Sequence, residues 1–156
     1  MGISQNQIWI MNLEEETKHI TLEYIRTGCE GYQRLLKYIN GDMKGYLNLN
    51  NTKVSYLPDG LKVGWLDLEN TPINSLPEDL KVDSYLNLNK TYITNLPKGL
   101  KVGGALYLRN TPITSLPKDL EVGYTLHLWN TPISKKYTEQ QLKQMLPNVK
   151  GRIYTT

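Results

Sequence analysis

"GGALYLRNTPITSLPKDLEV", residues 103–122, has a near copy of itself on either side. Aligned on the first leucine of each unit, the frames are "LNLNNTKVSYLPDGLKV" from Leu47, "LDLENTPINSLPEDLKV" from Leu66, "LNLNKTYITNLPKGLKV" from Leu86 and "LYLRNTPITSLPKDLEV" from Leu106. A fifth, "LHLWNTPISKKYTEQQL" from Leu126, leaves the pattern after Ser134. The spacing is 19 residues once and then 20 three times, and the shared frame is L-x-L-x-x-T-x-[IV]-x-x-L-P-x-x-L-x-V. Self-similarity at a fixed period of this size marks a stack of small repeated units.

Within a frame, L-x-L is a period-2 signal and reads as a short strand with both leucines on one face. Thr closes it, and Ile73, Ile93 and Ile113 point inward two residues later. Pro58, Pro77, Pro97 and Pro117 exclude a helix or a central strand at those positions. The return half of each coil therefore reads as an extended, polyproline-like run with a turn at "DG", "ED", "KG" or "KD". One unit cannot bury its own leucines, but stacked units can, each laying its Leu, Ile and Val on those of the next. This predicts an α/β solenoid of five coils with a parallel sheet on one wall, its strands about 4.8 Å apart. The recurring Thr52, Thr71, Thr91, Thr111 and Thr131 are expected to bond backbone groups at the bend.

The frame resembles the leucine-rich repeat, over residues 45–133. Its L-P-x-x-L segment and short period look like the bacterial short-repeat subtype. Thr stands where many members of that family carry a ladder Asn. The wording N-T-P-I-x-S-L-P-x-x-L-x-V is also similar to repeat proteins of bacteriophage and mobile-element genomes. That likeness implies a phage-encoded modulator of a protein of the bacterial host.

An open stack needs caps at both ends. Residues 134–156 supply one: "TEQQ" from Thr138 is a capping box, "TEQQLKQML" a helix of about two turns stopped by Pro147, and "RIYTT" a last strand. Residues 1–44 form a helical N-terminal region with "QIWIM" as a short strand before it. Leu22, Ile25, Cys29, Tyr32, Leu36 and Ile39 keep a 3–4 spacing that predicts one amphipathic face. Gly28 and Gly31 make it one bent helix or two, with Cys29 buried on the apolar side.

Inward letters repeat because every coil shares one core, so the letters that change lie on the outer face of the strand wall. Three ladders result: Tyr46, Trp65, Tyr85, Ala105, Thr125; then Asn48, Asp67, Asn87, Tyr107, His127; then Asn50, Glu69, Asn89, Arg109, Trp129. Solvated strand positions need no large aromatics, whereas Tyr, Trp and Arg dominate recognition sites. Tyr46, Trp65, Asp67, Glu69, Tyr85, Tyr107, Arg109, His127 and Trp129 are therefore the expected partner-binding set, and the partner is expected to be a protein. The chain has 11 Tyr and no Phe, which suits rings whose hydroxyls meet water or a partner.

Charge points to an alternative. The 156 residues carry a net charge of +3, yet residues 45–132 hold eight basic and eight acidic residues. The excess lies in residues 133–156, where Lys135, Lys136, Lys143, Lys150 and Arg152 stand against Glu139. That segment could bind nucleic acid, with aromatics for stacking. A single cysteine excludes an internal disulfide and a cysteine-based zinc cluster. No metal or cofactor is expected. His19 and His127 have no evident catalytic partner, so no enzymatic activity is expected. The N-terminus lacks the basic and apolar regions of a secretory signal, and no run is long enough to span a bilayer. The expected location is the cytoplasm.

Overall fold

A computed structural model of the chain describes residues 15–41 and 45–156; the "QIWIM" strand lies outside the described residues. Helices α1 (Glu15–Thr27) and α2 (Glu30–Ile39) come first. Short strands follow in alternating sets. β1 (Tyr46–Asn48), β3 (Trp65–Asp67), β5 (Leu86–Asn87), β7 (Leu106–Tyr107) and β9 (Leu126–His127) are the L-x-L segments. β2 (Lys62–Val63), β4 (Lys81–Val82), β6 (Lys101–Val102) and β8 (Glu121–Val122) close each frame. Helices α3 (Pro132–Lys136) and α4 (Glu139–Met145) then precede β10 (Ile153–Tyr154).

Every strand pairing is parallel. One sheet runs β1-β3-β5-β7-β9-β10 and the other β2-β4-β6-β8, giving a parallel-strand solenoid of about four turns. The expectation of a single sheet is thereby corrected. The return run is extended as expected, but its last two residues form a second ladder, with Val63, Val82, Val102 and Val122 in register. Stacking in register brings these backbones face to face, and buried N–H and C=O groups must find partners. The fifth frame contributes β9 and then departs into α3 and α4, after which Val149 bridges Val122 in parallel and β10 pairs with β9.

The core is the spine the frame predicts. Leu47, Leu66, Leu86, Leu106 and Leu126 pair in register, and Leu49, Leu68, Leu88, Leu108 and Leu128 are fully buried beside them. Each Thr hydroxyl donates to the leucine carbonyl three residues back, from Thr52 to Leu49 at 2.6 Å and from Thr71, Thr91, Thr111 and Thr131 to their leucines at 2.7 Å. The residue before each Thr sits in the left-handed region: Asn51, Asn70, Asn110 and Asn130, with Lys90 as the exception, at φ between 53° and 57°. Asn tolerates this conformation better than most residues. Asn70 also donates to the Asn51 side chain, and Asn130 to Asn110, at 2.9 Å.

The single 19-residue spacing has a local cause. Only Gly64 and Trp65 separate Val63 from Leu66, whereas three residues turn each later corner. In the short corner both the Gly64 and Trp65 N–H groups donate to the Gly45 carbonyl, at 2.9 Å. In the last two corners successive N–H groups donate to carbonyls two residues apart in the coil above, as Gly123 does to Val102 and Tyr124 to Gly104.

At the N-terminal end the amphipathic reading holds for α2 and fails for α1. Gly28, at φ +62°, separates two helices, and Cys29 begins the second, buried. Tyr32, Leu35 and Leu36 pack on the first coil. Leu22 and Ile25 are 54% and 62% exposed, while Ile20 and Thr21 turn inward. A 3–4 spacing carries one face only while the helix is continuous, and the Gly28 break resets its phase. At the other end Thr138 and Gln141 make the expected reciprocal cap, α4 buries Leu142, and β10 adds a sixth strand to the wall.

Candidate recognition wall

Alternation along the first sheet sends the leucines in and their neighbours out. Tyr46, Trp65 and Trp129 are 56%, 50% and 42% exposed. Asp67, Glu69, Tyr85, Tyr107, Arg109 and His127 are half-buried along the same wall. All nine residues predicted for partner binding thus share one face. Ala105 differs from the rest of its ladder, being only 2% exposed.

The wall has two halves. In the first, register stacks the rings edge to face: Tyr46 on Trp65 at 5.9 Å and Trp65 on Tyr85 at 4.8 Å between centroids. These rings, with Tyr107, Asp67 and Asn87, line a groove of about 400 Å³. Beneath them, the middle ladder does structural work that sequence reasoning missed. Asn48, Asp67 and Asn87 each accept, through Oδ1, the backbone N–H two residues on, at 3.0–3.1 Å. These Asx turns end the strands. Coil four has Tyr107 at this position, and there the Arg109 N–H is taken by the Asn89 side chain of the preceding coil, at 2.8 Å. Glu69 pairs with Lys90 at 2.9 Å and accepts from Asn87 at 3.2 Å. The Lys90 contact leads in holding its carboxyl below the ordinary range.

The second half is a stack of flat groups. His127 lies between Tyr107 and Tyr154, with centroids 4.7 and 4.6 Å away and near-parallel planes. Tyr154 was not among the predicted residues. Its place follows from β10 pairing with β9, which sets Tyr154 beside His127. The Arg109 guanidinium covers Trp129 at 4.5 Å and reaches His127 Nδ1 at 3.2 Å, while its Nε is buried without a hydrogen-bond partner among the described residues. Arg109 is always a donor, so Nδ1 is the acceptor and the ring hydrogen sits on Nε2, donating to Thr125 Oγ1 at 3.1 Å. In that tautomer the imidazole cannot deprotonate Thr125.

Burial first, and the Arg109 charge second, push the His127 pKa below its ordinary 6.5. A group whose folded pKa is depressed contributes stability that is complete above its unfolded pKa and is lost as pH falls through the folded value. The chain is therefore expected to weaken on acidification from 6.5 downward. Thermal melts of His127→Gln across that window should be flatter with pH than those of the parent; equal slopes would contradict the stack.

Of the basic C-terminal residues, Lys143 and Arg152 line one hollow together with Glu139. Lys143 donates to the carbonyls of Val149 and Gly151 and ties α4 to the last loop. Lys136 lies over Tyr137, and Arg152 over Tyr154 at the edge of the wall. Lys135 and Lys150 are exposed. Among the described residues, no group of three or more His, Cys, Asp or Glu could hold a metal ion, and no helix is long and apolar enough to cross a membrane. Together these features define a class: a parallel-strand solenoid presenting one aromatic, polar wall. No protein-family model and no curated protein matches the chain.

Proposed function

We propose that the solenoid is a leucine-rich repeat of the short bacterial type, its open fifth frame counted as a coil. It works as a non-catalytic protein-binding module. The similarity of its repeat wording to phage proteins supports a phage-encoded modulator acting on a protein in the cytoplasm of a bacterial host. The observation that carries the binding reading is the exposure of Tyr46, Trp65 and Trp129 on one wall. Large rings held half in water by rigid strands lose little side-chain freedom when covered.

Six strands at about 4.8 Å, a few residues deep, make a wall of roughly 400 Å². A standard interface needs roughly 800 Å² per partner, so the rims join the contact. The hollow between α2 and β1, lined by Arg34, Lys37 and Tyr46, extends the wall at one edge, and Arg152 extends it at the other. Asp67 and Glu69 at the second coil and Arg109 at the fourth give the surface a polarity that fixes the partner's register.

The variant Trp65→Ala/Trp129→Ala removes one anchor from each half. It is expected to weaken capture of the partner at least ~tenfold while leaving the circular-dichroism spectrum unchanged. Capture at parental affinity by the folded double variant would move the site off this wall.

A further inference from the structure

We propose that the groove between Tyr46, Trp65, Tyr85 and Tyr107 receives an arginine side chain of the protein partner, held by the Asp67 carboxylate. The inference rests on the wall being the recognition face and names the chemistry that face selects.

Asp67 is the starting point. Its Oδ1 accepts from the Glu69 N–H at 3.0 Å and its Oδ2 from Asn50 Nδ2 at 3.2 Å. Both donors are neutral. Among the described residues, no cation pairs with it. The neighbouring Glu69, in contrast, has Lys90. Nor does the fold need a charge at this position, because Asn48 and Asn87 make the same turn with amides in the coils on either side. The charge on Asp67 is thus surplus to the turn, and it borders a groove walled by aromatic rings.

A carboxylate beside aromatic rings selects a cation. The rings attract positive charge through their electron-rich faces, and the carboxylate repels an anionic ligand. A neutral sugar gains a stronger acceptor from Asp67 than from Asn, but leaves the carboxylate charge unpaired. Among cations, guanidinium fits best. It is planar and stacks on rings, and its fork of donors matches a carboxylate that keeps a free lone pair on each oxygen. An ammonium is a more strongly hydrated point charge and loses more on entering a groove.

The test uses the whole chain and four probes: N-acetyl-arginine amide, its lysine counterpart, its neutral isostere citrulline, and glucose. The reporter is the Trp65 indole resonance, assigned with Trp65→Phe. The arginine amide should shift it saturably and bind at least ~tenfold tighter than citrulline. Asp67→Asn, which keeps the turn, should erase that preference without changing the melting temperature. Equal binding of citrulline, tighter binding of the lysine compound, a shift with glucose alone, or indifference to Asp67→Asn would each overturn the assignment. Should Asp67→Asn keep a partner that Trp65→Ala/Trp129→Ala loses, the wall remains the recognition face and only the arginine assignment falls.

Discussion

Gly123→Ala is expected to destabilise the chain by at least ~3 kcal/mol. A Cβ there would stand 1.9 Å from the Gly103 carbonyl oxygen and 2.8 Å from its carbon. Both atoms are backbone of the coil above, so no side chain can swing aside. Relief requires the coils to part, and parting breaks the hydrogen bonds from Gly123 to Val102 and from Tyr124 to Gly104, now 2.9 and 3.0 Å. Gly60→Ala is the comparator. Gly60 also has an unusual backbone, at φ +72°, but its nearest atom would be 3.9 Å away. It should lose only the strain of a left-handed alanine, about 1 kcal/mol. Urea melts of the two variants should therefore differ widely; equal midpoints would contradict the tight corner.

Leu88→Ala should cost ~2–5 kcal/mol, a large part of the ~5–15 kcal/mol that holds a domain of ordinary stability. Leu88 is fully buried at the centre of the stack, with Leu68 and Leu108 at the matching positions of the adjacent coils. Truncation leaves a hole that neighbours on both sides are too well fixed to fill. Tyr46→Ala, at the outer edge of the same sheet, removes a larger side chain and should cost under about 1 kcal/mol, because its ring is mostly in water. The ratio of the two losses measures the alternation that separates spine from wall. Equal losses would mean the two faces are not what the register makes them.

That alternation was legible because L-x-L repeats often enough to declare its phase, and the nine wall residues fell out of it. The second sheet was not. Its strands, such as Lys62–Val63, are two residues long and too short to show a period. They form only because stacking puts their backbones in reach of one another. The predicted inward turn of Leu22 and Ile25 failed because a spacing rule was carried across Gly28, where the helix stops. Tyr154 was missed for a related reason. It lies outside the repeats, and only the pairing of β10 with β9 brings it beside His127. The outward position of Asp67 in the repeat marks it as a binding residue. The structure gives it a turn to hold as well, which makes its charge, rather than its place, the informative feature.

The proposed recognition face is the set of changing side chains on the strand wall. Hydrogen exchange on the captured complex locates that surface without altering a residue. New protection is expected in peptides covering residues 46–50, 65–69, 85–89, 106–109 and 126–129, with the return segments unchanged. Protection confined to α1, to the second sheet or to α4, with the wall exchanging as in the free chain, would contradict it.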